Sequence, residues 1–191
     1  MSLAYRDDPV LAGMLRYWES KRAGRAMPRR DDIDPMEIPK LLPYLSLAEV
    51  GEEGRRFRYR LVGTAVVEAY GLDYTGLYVD ELLSGDRRAF VESLCRTVVT
   101  EKRPLFARSE YSTKGKHPFG REPSISAHRV MMPLSENGTD VSMILTAFSF
   151  ISDSPLRQTI DIRSPTGLEP RVVQVLSPEE VAAAAAGAKP I

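Results

Sequence analysis

The residue types that could carry covalent or metal chemistry are sparse in this chain. One cysteine, Cys95, and two histidines, His117 and His128, occur in 191 residues. A lone cysteine forms neither an intramolecular disulfide nor a cysteine zinc cluster. Cys95 falls on an apolar helical stripe, where burial raises a thiol's pKa and leaves it inert. The histidines have no acidic or cysteine cluster at ligand spacing, so no metal site is expected. His117 sits in a polar loop and reads as solvated. His128 sits on a strand and reads as a satisfied wall residue, with a ligand contact as the sharper alternative. No serine stands in a nucleophile elbow, and the glycines and lysines at 114–120 lack phosphate-loop spacing. The pairs Asp31/Asp32 and Glu52/Glu53 adjoin in turns and read as solvated caps, not as carboxylates converging in a cleft. No catalytic residue is expected, and the chain reads as a non-enzyme.

More is offered by the stretch Arg56-Phe-Arg-Tyr-Arg-Leu-Val-Gly63. Its alternation predicts a strand with Phe57, Tyr59 and Leu61 on one face and Arg58, Arg60 and Val62 on the other. Such arginines usually meet solvent or an acidic neighbour. A planar guanidinium can instead meet an anionic ligand or a partner's carboxylate, which makes Arg60 a candidate contact.

These groups must be positioned by a sizeable body. Hydrophobic residues make up 43% of the chain, enough for a real core, and 27% are charged. Lys plus Arg number 26 and Asp plus Glu number 26, for a formal net charge of zero. Nucleic-acid binding needs a basic excess to displace counterions, so that class is not expected. No apolar run approaches the roughly 18–20 residues of a membrane span, and the N-terminus lacks the pattern of a signal peptide. A cytoplasmic location is expected.

Along the chain, Asp8 and Pro9 mark the start of a helix over 9–23, ended by Gly24. Leu11, Met14, Leu15 and Trp18 lie on its apolar stripe. The stripe either packs on its own domain or pairs with a second copy as a dimer helix; periodicity is the same in both cases. A short helix follows Asp34-Pro35, then strands over 45–50 and 57–62. Thr64 is expected to cap a short helix that stops at Gly71, and a helical turn is expected over 78–83. The most regular helix spans 86–101, with Phe90, Val91, Leu94, Cys95, Val98 and Val99 in its stripe. Three strands follow, over 105–112, 124–134 and 141–151, the last two joined at Ser135-Glu-Asn-Gly138. Beyond Ser152, prolines punctuate a polar segment with a stray strand near 171–176 and a marginal alanine-rich helix. The expected division is an N-terminal helix and dimer element at 1–25, a domain at 26–152, and a partly ordered tail at 153–191.

This order of elements is that of a PAS domain, and several strings resemble a bacterial family of mostly single-domain PAS proteins. They are Leu15-Arg-Tyr-Trp18, Pro28-Arg-Arg-Asp-Asp-Ile-Asp-Pro35, Glu37-Ile-Pro39, Leu41-Leu-Pro43, Phe57-Arg-Tyr-Arg-Leu-Val-Gly-Thr64, Gly71-Leu-Asp-Tyr-Thr-Gly76 and Met132-Pro-Leu134. The resemblance covers roughly residues 10–151. It implies an α+β, PAS-like fold: a five-stranded antiparallel sheet with helices on one face, preceded by an amphipathic helix. It brings no known ligand and no catalytic residue. Haem-binding PAS domains usually take a histidine from the long helix, and 86–101 has none. The cysteine motif of flavin-binding light sensors is absent, so no photoadduct is expected. No cofactor is identified.

A PAS pocket is a core with a hole in it, and its lining is expected from Tyr59, Tyr70, Phe90, Leu94, Val130, Met132, Ile144, Thr146 and Phe148, with His128 and Arg60 as polar contacts. Two functions follow. One is a sensory module that binds a small ligand, forms a homodimer and signals by contact with a separate protein. The other is a ligand-free interaction or dimerisation module. A ligand-sized cavity of about 300 Å³ or more favours the first; a filled core favours the second.

Overall fold

The computed structural model describes residues 4–113, 124–152, 159–164 and 167–187. His117, with the loop around it, lies outside the described residues. The chain opens with α1 (Ala4–Asp7) and α2 (Pro9–Arg22). Asp8 caps α2 as expected, its carboxylate accepting from the amides of Val10 and Leu11 at 2.9 and 3.0 Å. Short 3₁₀ turns lead to β1 (Leu45–Gly51) and β2 (Arg56–Val62). Then come α3 (Thr64–Tyr70), α4 (Val79–Leu82), α5 (Gly85–Glu101), β3 (Leu105–Ser112), β4 (Ser124–Leu134) and β5 (Met143–Ser152). The chain closes with β6 (Leu168–Val175) and α6 (Pro178–Gly187).

The sheet is antiparallel in the order β2-β1-β5-β4-β3-β6. It therefore has six strands, not the expected five. The sixth comes from the segment read as a tail. Val173 and Val175 pair with Ala107 and Leu105, so β6 covers the edge that β3 would otherwise expose. Pro170 cannot donate to a ladder and is tolerated because β6 is itself an edge strand.

Helices cover both faces of the sheet, which corrects the expected one-sided arrangement. Cross-strand register sorts the side chains. Arg129 pairs with Phe148 and Ala107, and Met131 with Thr146 and Leu105, on the face toward α5. Val130, Met132 and His128 alternate onto the opposite face, toward α1 and α2. There the Tyr5 ring of α1 meets Phe106 at 5.1 Å, and α6 packs on α2.

The apolar stripe of α2 is spent within the chain. Leu11, Met14, Leu15 and Trp18 are all buried without a second copy. Trp18 donates its indole N–H to the Pro133 carbonyl at 2.9 Å. These four side chains are thus core, not a free dimer face. The stripe fits both roles by period alone, and only the position of the sheet decides between them.

Two local expectations shift. Leu47 pairs with Leu61 but Ala48 with Tyr59, so Arg60 is the extra residue of a β-bulge. The bulge reverses the alternation, and Leu61 leaves the face of Phe57 and Tyr59 and is 45% exposed. At the start of α3 the N-cap is Gly63, not Thr64. A Cβ at Gly63 would strike the carbonyl oxygens of Leu42 and Pro43, which are rigid backbone. Gly63→Ala is therefore expected to cost about 1–3 kcal/mol by overpacking, seen as a lower urea midpoint at unchanged m-value.

Candidate functional site

The chamber lies between α5 and the sheet. α5 forms because helix-compatible residues follow Ser84 and Gly85 without a proline until Pro104. Its inward stripe is Arg87, Val91, Leu94, Cys95 and Val98. The stripe thus begins with a charged residue, four positions before Val91, and Arg87 is only 2% exposed. From the sheet, β3 supplies Ser109 and Tyr111, β4 supplies Arg129, and β5 supplies Thr146 and Phe148. β2 supplies Tyr59, α3 supplies Tyr70, and the loop after it supplies Tyr74.

The aromatic rings are fitted edge to face. Tyr70 meets Tyr74 at 6.2 Å, Tyr111 at 6.1 Å, Phe148 at 6.2 Å and Phe150 at 5.5 Å, each near perpendicular. Tyr59 meets Tyr74 at 4.6 Å. Burial raises the phenol pKa of Tyr59, Tyr70 and Tyr74 well above the ordinary tyrosine range, so at neutral pH they are uncharged. Burial also pushes the Cys95 thiol up to about 12, so it is protonated and inert, as its stripe position predicts.

Arg129 stands in this aromatic lining. It donates through Nη2 to the Tyr111 hydroxyl at 2.8 Å and more weakly to Ser109 Oγ at 3.4 Å. Its guanidinium carbon lies 5.7 Å from the Phe148 ring centre. Its Nε is buried and has no hydrogen-bond partner among the described residues. Within ion-pair reach, no carboxylate of the described residues faces it. Burial opposes its charge, but Tyr111, Tyr70 and Tyr59 more than offset that, and it stays protonated. Tyr59 and Tyr70 are uncharged at neutral pH and act on it as dipoles, so no carboxylate counter-charge stands beside the guanidinium among the described residues. Arg87 lines the same space, 5.1 Å from the Tyr111 ring centre, and donates to the backbone carbonyl of Asp161.

The chamber holds two small cavities of about 20 Å³ each, room for a water or two. One is lined by Tyr59, Tyr70, Tyr74, Tyr111, Arg87 and Arg129, with Leu83, Val91, Phe148 and Ile162. The other is lined mainly by Ser46, Ala48, Leu94, Cys95, Met131, Ile144 and Thr146, and shares Tyr59, Val91, Arg129 and Phe148 with the first. Ile162 comes from residues beyond 152. The backbone there is tied in by Ile160, whose amide donates to the Ala69 carbonyl at 2.8 Å.

Of the expected lining, Tyr59, Tyr70, Leu94, Ile144, Thr146 and Phe148 face these cavities. Phe90 does not; it is half-buried and packs against the core at the side of the stripe. Val130, Met132 and His128 are corrected to the opposite face. A strand alternates sides, and with both faces of β4 buried, its sequence shows no polar side to mark which residues look into the chamber. Arg60, on the face that alternation turns away from Tyr59, is half-exposed and 3.6 Å from Glu49. Arg58 donates Nε to the Gly76 carbonyl at 3.0 Å. The cations in the chamber are Arg129 and Arg87. Their signal is a charge directly before the apolar run 130–134 in one case and on an otherwise apolar helix stripe in the other.

His128 contacts Ser126 Oγ at 3.0 Å and the Phe106 ring at 6.1 Å. Burial, helped by Arg108, holds its pKa below the ordinary 6.5. The unfolded chain therefore takes up this proton at higher pH than the folded one, and stability falls as pH drops through about 6.5. His128→Gln is expected to flatten that part of the curve, measured as the wild-type-minus-variant difference in thermal midpoint across pH.

Among the described residues no cluster of three or more His, Cys, Asp or Glu can hold a metal, and no helix is long and apolar enough to cross a membrane. A twisted antiparallel sheet with the central order 2-1-5-4-3, one long helix laid across it and short helices walling a core chamber defines a class of sensory, signalling or interaction modules that are generally non-catalytic. Residues 6–148 match the family described as PAS domain, and the chain belongs to that family. β6 and α6 lie beyond the matched residues. No curated protein matches the chain.

Proposed function

We propose that this PAS domain is a non-catalytic sensory module of the cytoplasm, which takes a small ligand between α5 and the sheet. It then signals by contact with a separate protein, as a homodimer whose interface lies outside the buried stripe of α2. The observation that carries this reading is the polar lining of the chamber: a buried guanidinium with an unsatisfied Nε beside two cavities. A core selected only for packing has no use for such a group. The N-terminal helices and α5 sit on opposite faces of one sheet, so a change in chamber packing reaches the outer layer through β4 and β5.

The test is to denature the purified chain and examine the released small molecules by mass spectrometry, alongside hydrogen exchange of α5 with and without a cellular small-molecule fraction. One retained molecule near stoichiometry, or added protection in α5, is expected. Absence of both would overturn ligand sensing. The reading then favoured is a ligand-free interaction module, which the small size of the cavities already supports. For it, the exposed Leu61 near the end of β2 is the place to look for docking.

A further inference from the structure

The lining of the two cavities differs in a way that narrows the ligand. The first is rimmed by tyrosines and two arginines. The second, sharing Arg129 and Phe148 with it, runs toward Leu94, Met131 and Ile144. A molecule occupying both has an anionic end and a short apolar end. Arg129 is 5% exposed, fixed by Tyr111 at 2.8 Å, and has a donor left over at Nε. Resting on the sensing reading above, we infer that the chamber binds a short-chain monocarboxylate. Its carboxylate lies against Arg129 in the tyrosine-lined cavity and its alkyl end toward Leu94 and Ile144.

Three physical features select this class. A carboxylate is planar and accepts from guanidinium N–H groups with matched geometry, and the bond is strongest where water is excluded. It supplies the counter-charge that the neutral phenols cannot. Each cavity as it stands holds a water or two, so a carboxylate enters only with a shift of the aromatic wall, which keeps the favoured chain short. A dicarboxylate would bury a second charge among Leu94, Cys95 and Ile144, which the apolar end disfavours. A neutral alcohol or amide brings no counter-charge to the guanidinium.

The test uses the full chain, dialysed free of carboxylates, with sodium acetate, propionate and butyrate against sodium chloride at equal ionic strength. A saturable rise in thermal midpoint is expected, about 5–10 °C at a hundredfold excess over Kd. Arg129→Met should abolish the rise, and Arg129→Lys should weaken binding about tenfold, because an ammonium keeps the charge but not the fork. Should Arg129→Met fail to fold, carbon-13 butyrate on the wild-type chain provides the second readout: contacts from its methyl group to Tyr59 or Phe148 ring protons are expected. No salt-matched rise and no such contacts with any of the three would overturn the inference, as would a rise of equal size in a folded Arg129→Met chain. If the purified chain retains a neutral molecule instead, only the carboxylate assignment falls; if it retains nothing and responds to nothing, the sensing reading falls with it.

Discussion

Replacing Trp18 by alanine is expected to lower the stability of this domain by about 3–5 kcal/mol, the range for deleting a large aromatic from a packed core. Trp18 is 1% exposed and sits between α2 and the sheet. The substitution also orphans the Pro133 carbonyl, which now accepts the indole N–H at 2.9 Å, and leaving a buried acceptor unmet adds about 1–3 kcal/mol unless water enters. Pro133 lies past the point where β3 stops pairing, since the last β3–β4 pair is Leu105 with Met131. The tryptophan thus closes a gap that no strand fills. For a domain of this size a loss of that magnitude lowers the thermal midpoint by about 6–20 °C. Circular dichroism is the measurement to use, because Trp18 is the sole tryptophan and its fluorescence disappears with it. An unchanged unfolding midpoint with altered assembly would mean that α2 serves a partner and not its own sheet. For the same reason, removing residues 1–25 is expected to yield an unstable chain, not a folded monomer.

Replacing Arg129 by methionine is expected to have the opposite sign. In the ligand-free chain it should raise stability by about 1–3 kcal/mol. Exchanging buried ionic groups for apolar ones of similar volume is often neutral or stabilising by about 1–4 kcal/mol, and the lost hydrogen bond to Tyr111 takes back about 0.5–1.5 kcal/mol. Arg129→Ala does not test this, because it removes the charge and opens a cavity at once. Chemical denaturation of dialysed protein measures the change. A loss as large as that for Trp18→Ala would show that the guanidinium is a structural anchor, held by Tyr111, Ser109 and Phe148, and that its charge is met within the chain. A gain would show that the native residue is kept at a cost to stability, which is common where a group serves function.

The contrast between these two residues shows where sequence reading succeeds and where it stops. Both are large, buried and on regular elements. Trp18 was legible as part of a stripe because apolar residues at helical spacing announce a buried face. What covers that face was not legible, since a sheet and a second helix impose the same period. Arg129 is not legible as a chamber residue because a strand's arginine ordinarily points to solvent, and because the run from Ser124 to Leu134 alternates too weakly to show which side is polar. The structure explains the weakness: β4 lies deep in the sheet with helices on both sides, and nearly all of its residues are buried. Alternation turns Arg60 away from Tyr59 and the chamber, while the bulge between Tyr59 and Leu61 moves Leu61 off the Tyr59 face. A bulge depends on the partner strand, so the strand's own sequence does not announce it.

The sequence by itself determined the order of elements from α2 through β5, the cap of α2 at Asp8, the buried and inert character of Cys95, and membership in the PAS class through strings spread from Leu15 to Leu134. These are local matters of period, punctuation and composition, and each is decided within a few residues. Tertiary structure alone decided that α2 is core, that β6 completes the sheet beside β3, and that Arg87 and Arg129 share one chamber. Each of those depends on which distant surfaces meet. Apolar burial is non-directional, so a sequence states how much surface must be covered, and only the assembled fold states by what.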